Sequence, residues 1–391
     1  MIRKLAVLPL AISIILLLLV GCGSSTSTTS TSTGTGQSGT NGKIVIGVIE
    51  VLSGPESYDG LRMLEAVKMI TEQVNKEGGL LGKQIELKIE DGAGETATSA
   101  NAAEKLVAND KVQALIGAYA STATAGLLPI VAKYEIPLVN CVSQDPKLSE
   151  QGNKWFFQGT LLNSTIAKTG VPEFVKMFGI KKAAIVVINS DAELEYSDTY
   201  KTFLTDQGVA VTQMSFPEGT QDFSSILTKL KSEAPDTLFI NMGSNEGVNF
   251  LKQLYESGLK ARVVASDLYQ QWADEIPQAI EGMYFAARYA VSDPNPVNQR
   301  FVKDFQARTG KLPDDSVAGD YDSMLVLFDA ITRAGTIEPQ ALRQALLKTD
   351  MEITRGHIEF DAQQRGGFDT KIVQFKSGQL VILKTIPFAG V

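Results

Sequence analysis

The run Ile44-Val45-Ile46-Gly47-Val48-Ile49 decides how the rest of this 391-residue chain is read. It is apolar and β-branched at nearly every position rather than at alternate ones, the pattern of a strand buried on both faces of a parallel sheet. Outward from it, Leu61, Leu64, Val67, Ile70 and Val74 recur at three and four residues as a helical stripe, which Gly78-Gly79 ends. Strands are predicted over 85–89, 112–116 and 136–139, with helices over 102–108 and 123–134 between them. Past Trp155 the alternation repeats. Helices over 165–178, 197–207, 223–232 and 246–257 interleave with strands over 183–188, 209–214, 237–241 and 262–265. Residues 298–349 read as helices and 371–384 as two short strands. Such alternation means an α/β fold of two doubly wound parallel-sheet lobes, with ligand expected in a crevice beyond the carboxyl ends of the strands.

The first 42 residues do not share this pattern. Arg3 and Lys4 precede an uncharged stretch, 5–20, that ends in Leu19-Val20-Gly21-Cys22. That is the basic start, apolar middle and small-residue cleavage site of an export signal, slightly short for a permanent membrane span. The Leu-x-Gly-Cys ending resembles a bacterial lipoprotein box, which makes residues 1–21 a signal peptide and Cys22 the lipidated first residue of the mature chain. The other reading is a soluble secreted protein whose Cys22 merely lies near the cut. Thirteen of the nineteen residues 24–42 are Ser or Thr and none is apolar, so 22–42 reads as a flexible tether. Gly34-x-Gly36-x-x-Gly39 matches the dinucleotide fingerprint in letters alone, since no strand precedes it and no helix follows.

Composition removes several function classes. With 44 % hydrophobic residues the chain is neither disordered nor collagen-like. A net charge of −8 argues against nucleic acid as the main partner. His357 is the only histidine and the two cysteines lie far apart, so no metal site and no cofactor are expected, and a Ser/His hydrolase would have to use that one residue. No Gly-x-Ser-x-Gly elbow, His-Glu-x-x-His, phosphate loop or calcium loop occurs.

Several segments then carry a resemblance. Lys43-Ile-Val-Ile-Gly-Val with Leu52-Ser53-Gly54-Pro55, Val74-Asn75-Lys76-Glu77-Gly78-Gly79-Leu80-Leu81-Gly82-Lys83, Ala103-Glu104-Lys105-Leu106-Val107 and Ile116-Gly117-x-x-x-Ser121 resemble the periplasmic branched-chain amino-acid-binding proteins of ABC transporters. Asp222-Phe223-Ser224-x-x-Leu227 and Gly258-Leu259-Lys260 continue the likeness, which covers about 43–376. The resemblance implies two lobes joined by crossing hinge segments that close on a ligand. Lobe one would take 43–162 and 290–368, and lobe two 163–289 and 369–391. It also implies a monomeric, extracytoplasmic binding protein, held to the membrane through Cys22, that hands a small molecule to an ABC permease. A receptor subunit of the same fold is the nearer alternative. A hydrolase using Asp59 and Asp267 is the more distant one.

Site residues follow from the resemblance one at a time. Ser121 stands where the family binds the ligand carboxylate, and a hydroxyl beside a helix N-terminus suits an anion, although a plain N-cap serine would look the same. In Asn140-Cys141-Val142-Ser143-Gln144-Asp145-Pro146, Gln144 takes the family's threonine position, with Ser143 beside it and Val142 at the preceding contact. Asp267, after strand 262–265, falls where the family's acid meets the ligand ammonium, a role for which a charge-assisted bond is suited. A solvated loop acid is the other reading. Tyr196 matches a second-lobe tyrosine if a short insertion is allowed in 189–195.

Three positions depart from the family. An ungapped count from Gly54-Pro55 to Gly60 puts Asp59 where an aromatic stands, with Tyr58 beside it. Gly243 replaces a tyrosine wall and Ser316 a phenylalanine. A buried, unpaired Asp59 would be costly, so it is expected to face water or a polar or cationic ligand group, unless Tyr58 swings into its place. The expected ligand is therefore a polar or cationic amino acid, or a related polar carboxylate, rather than leucine. The disulfide found in part of the family falls here on Gly94 and Ala120, which leaves Cys141 a partly buried free thiol with no base near it in sequence.

Overall fold

Three segments of chain pass between two sheets in the computed structural model, which describes residues 42–266 and 268–388. The leader, Cys22 and all but the last residue of the tether lie outside the described residues, and so does Asp267.

The first sheet is built by β1 (Ile44–Glu50), α1 (Ser57–Lys76), β2 (Ile85–Asp91), α2 (Thr96–Ala108), β3 (Ala114–Gly117), α3 (Ser121–Tyr134), β4 (Leu138–Asn140), α4 (Lys147–Glu150) and β5 (Phe156–Gln158). Its strands are all parallel, in the order β2-β1-β3-β4-β5. Every residue of β1 is buried, as its unbroken apolar run requires of a central strand. The inward stripe of α1 runs through Met63, Leu64, Val67 and Ile70, while Leu61 in the first turn is 51 % exposed.

The second sheet takes α5 (Asn163–Phe178), β6 (Lys182–Ile188), α6 (Asp191–Asp206), β7 (Ala210–Phe216), α7 (Ser224–Glu233), β8 (Thr237–Asn241), α8 (Ser244–Ser257), β9 (Arg262–Ala265), α9 (Gln270–Glu275), α10 (Pro277–Ile280) and β10 (Tyr284–Ala287). The chain then returns to the first lobe through α11 (Pro296–Thr309), α12 (Asp315–Ala334), α13 (Pro339–Leu346) and a small antiparallel sheet of β11 (Asp350–Ile353), β12 (Gly356–Phe360) and β13 (Gly366–Gly367). There α12 packs on α1, β3 and β4. Finally β14 (Thr370–Lys376) and β15 (Gln379–Ile386) extend the second sheet antiparallel at β10, giving the order β15-β14-β10-β9-β8-β6-β7.

The expected alternation is present, with differences that have local causes. Helix α6 starts earlier than its apolar pattern, because Ser190 caps it by accepting the Glu193 N–H at 3.4 Å. Strands β5 and β10 and the β11–β12 hairpin were missed. All are short, and short runs carry little periodicity.

Buried polar groups tie the crossing segments together. Arg288 donates from Nε to the Leu161 carbonyl at 2.8 Å and from Nη2 to Asn163 Oδ1 at 2.6 Å. Arg355 pairs with Asp322 at 2.8 Å, both fully buried, and Lys371 donates to the Arg355 carbonyl at 2.9 Å while pairing with Asp293 at 3.0 Å. Each buried charge here has a partner, the condition under which such charges are tolerated. No helix among the described residues is long and apolar enough to cross a membrane.

Candidate ligand-binding cleft

Strand order reverses beside the first strand of each sheet, between β1 and β3 and between β6 and β8. Such switch points open a crevice at the carboxyl ends. At the first, Gly117 closes β3 with φ +109, and a Cβ there would lie 2.1 Å from the Ile49 carbonyl, so only glycine fits. The chain then runs through Tyr119 to Ala120, which precedes α3 without a side-chain cap. The first N–H groups of α3 are thus left for another acceptor. Ser121 Oγ accepts the Gln144 N–H at 3.3 Å and the Asp145 N–H at 3.4 Å, so Ser121 and Gln144 are brought together as expected from the sequence. Both bonds are long. Carboxylate oxygens form charge-assisted bonds of ~2.7–2.9 Å, so an incoming carboxylate would take these N–H groups from the serine.

Two neighbouring expectations need correction. Asn140 Oδ1 accepts the N–H of Val142 at 2.9 Å and of Ser143 at 2.7 Å. Ser143 Oγ is buried 2.7 Å from Thr124 Oγ1 and near the Ala118 carbonyl. Val142 and Ser143 therefore form the turn that supports the site, with their N–H groups already satisfied, rather than offering them to a ligand.

Asp59 is a third correction. It is only 4 % exposed and receives a hydrogen bond from Tyr119, so it does not face water. Burial, and after it the charge of Asp314, pushes its carboxyl up to about 7, against the opposing pull of Arg62. Tyr119, Arg62 and Asp314 come from three separate segments, so no local pattern around Asp59 announces them. Arg62 pairs with Asp314 and donates to the Leu312 carbonyl at 2.8 Å. Half-buried Tyr58 reaches the opposite lobe, its hydroxyl 3.2 Å from Asp274 Oδ2, and Lys311 pairs with the same carboxylate.

On the second lobe, Asn241 at the end of β8 donates to Glu193 and accepts from Ser266 Oγ at 2.7 Å. This chain of polar groups ends at the residue before Asp267. Gly243 precedes α8, and a Cβ there would lie 2.8 Å from Glu246 Oε2. Glu246 thus fills the space beside Gly243, and its other carboxylate oxygen accepts the Gly219 N–H at 2.9 Å. Tyr196 is 3 % exposed, with its ring 4.2 Å from that of Tyr200 in the core, and is not grouped with Ser121 and Gln144. Ser316 lies in the first turn of α12, next to the Asp314 cap that accepts the Val317 N–H at 3.1 Å.

Glu56 on the first lobe lies within electrostatic reach of Glu218 and of Glu246 on the second. Desolvation, followed by those two like charges, raises the Glu56 carboxyl. Tyr119, whose phenol is raised mainly by burial and then by Asp59, also lies near Tyr269 of the opposite lobe. None of Glu56, Tyr119, Glu246 and Asn241 was singled out from sequence. Tyr119, two residues before Ser121 in the same turn, was the one with a usable signal. Cys141 is free and fully buried, and burial pushes its thiol up to about 12, far from reactivity.

Two doubly wound lobes with facing switch points, a helix N-terminus without a side-chain cap and polar groups on both walls define a protein that encloses a small solute. The profile of one family, periplasmic binding protein, matches residues 43–379, and the chain belongs to that family, one of solute binders rather than enzymes. A Leu/Ile/Val-binding protein of Rhizobium johnstonii is 24 % identical over 314 residues, covering 79 % of this chain and 84 % of the relative. The crystal structure of a leucine-binding protein from Thermotoga maritima aligns with TM-score 0.80 and 26 % identity, over 88 % of this chain and 99 % of that one. A Rhodopseudomonas palustris ABC-transporter solute-binding protein, solved with 3,4-dihydroxybenzoic acid, aligns with TM-score 0.80 and 22 % identity, over 89 % and 98 % of the two chains.

Proposed function

We propose that this chain is a lipid-anchored, extracytoplasmic solute-binding protein that captures an amino acid with a polar or cationic side chain, or a related polar carboxylate, for an ABC permease. The lobes, 43–162 with 290–368 and 163–289 with 369–391, close on the ligand as units. Ser121, the N–H groups of Gln144 and Asp145 and the start of α3 hold the carboxylate. Asp267 receives the ammonium. The leader and the Leu-x-Gly-Cys box support anchoring through Cys22.

The observation that carries the side-chain preference is that the cations at the cleft already have carboxylate partners, Arg62 with Asp314 and Lys311 with Asp274. Glu56, whose carboxyl is raised by desolvation and then by the like charges of Glu218 and Glu246, has no such cation among the described residues. Closing the cleft brings these like charges nearer to one another. A cationic or hydrogen-bond-donating side chain offsets that repulsion, so closure follows ligand capture. Leucine offers no such compensation at Gly243 and Ser316.

Mass spectrometry of the small molecule retained by the purified protein tests this reading. A compound bearing a carboxylate and an additional polar or cationic group is expected. Retained leucine, isoleucine or valine would refute the side-chain preference.

A further inference from the structure

The only histidine of the chain lies outside the cleft, on the β11–β12 hairpin. The antiparallel register places Asp350 opposite Glu359 and Glu352 opposite His357. Residues two apart on a strand share a face, as do directly opposed residues. These four side chains therefore occupy the corners of one patch, and all four are exposed.

Their atoms converge on the imidazole. His357 Nε2 is 3.3 Å from Asp350 Oδ1 and 3.3 Å from Glu359 Oε1, and Nδ1 is 3.4 Å from Glu352 Oε1. Directly opposed carboxylates such as Asp350 and Glu359 destabilise a strand pair, so the arrangement calls for a cation between them. A protonated imidazole meets that need poorly. One N–H cannot point at two carboxylates, and both separations exceed the ~2.7–2.9 Å of a charge-assisted bond. They equal instead the edge of a tetrahedron around a metal with bonds of about 2.0–2.1 Å, which is about 3.3 Å. The second nitrogen completes the pattern. Glu352 Oε1 lies 3.4 Å from Nδ1, on the side from which a carboxylate orients a metal-bound histidine and leaves its other nitrogen for the metal.

We propose that Asp350, Glu359 and His357 Nε2 form a binding site for a divalent transition metal of the zinc type, with Glu352 as a positioning residue on Nδ1. One imidazole with two carboxylates favours zinc, nickel or copper over magnesium or calcium, which take oxygen donors. Water fills the remaining coordination position. The histidine count alone argued against any such site, but a hairpin supplies from its two strands what one segment lacks.

The test uses the full mature chain and zinc chloride alone, read by calorimetry and by NMR of the imidazole nitrogens, which arise from a single residue. One equivalent of zinc is expected to bind and to shift Nε2. His357→Gln should abolish that binding, and Glu352→Gln should weaken it by about 10–100-fold, with circular dichroism and thermal melting of both metal-free variants confirming the native fold. An imidazole unmoved by millimolar zinc would overturn the site, as would equal zinc affinity in His357→Gln. Unchanged affinity in Glu352→Gln would remove its positioning role.

Discussion

Tyr58 of α1 donates a hydrogen bond to Asp274 of α9 across the cleft at 3.2 Å, and Lys311 closes an ion pair on the same carboxylate. Tyr58 and Lys311 belong to one wall and Asp274 to the other, so these contacts exist only while the walls are together. On the proposed function they favour the closed form without touching Ser121. Asp274→Ala should therefore shift the protein toward open forms without altering ligand preference. Partly exposed pairs are worth about 0.2–1 kcal/mol, which is a weakening of up to about fivefold. Calorimetry and small-angle scattering check this, and an unchanged affinity together with an unchanged scattering profile would contradict it.

Ser121 sits between the start of α3 and the Gln144–Asp145 backbone. On the proposed function, Ser121→Ala removes one donor to the ligand carboxylate while leaving the N–H groups in place. A hydrogen bond to a charged group is worth about 1.5–3 kcal/mol, so affinity should fall at least tenfold, with little change in thermal stability. Calorimetry beside a thermal melt separates the two effects. A large loss of stability with unchanged affinity would make Ser121 a structural residue.

Glu50 and Asp320 are buried against each other at the end of β1. Burial, and then the Asp320 charge, raises Glu50 well above its ordinary range, and burial raises Asp320 to about 7. Asp59 is raised to about 7 in the same way. A carboxyl raised in the folded state binds a proton more tightly there than in the unfolded chain. Its contribution to stability is therefore complete below the unfolded value, near 4 to 4.5, and is lost as pH rises through 7. Urea unfolding should show stability falling over that window. Glu50→Gln keeps a neutral side chain beside Asp320 and should reduce the slope. An identical slope in the variant would place the effect elsewhere.

The sheets were legible because each strand carries its own pattern: the unbroken run 44–49 could only be a central strand, and Gly78-Gly79 could only end a helix. The meeting of Ser121 and Gln144 was legible because each follows the carboxyl end of a strand, β3 and β4, and those strands are neighbours in the sheet. The surroundings of Asp59 were not, since Tyr119, Arg62 and Asp314 belong to a strand end, a helix and a distant helix cap, and no local pattern links them. Val142 and Ser143 were misjudged for the same reason. Whether an N–H is free depends on where the Asn140 amide points, which spacing does not encode. The carboxylate beside Gly243 comes from Glu246 in the first turn of α8, and no pattern at Gly243 itself points to it.

The central claim is that this cleft selects a polar or cationic amino acid. Calorimetric titration of the purified mature protein with each of the twenty amino acids tests it most directly. A saturable heat is predicted with one or more polar or cationic amino acids and none with leucine. Tight binding of leucine with no response to any polar amino acid would contradict the account.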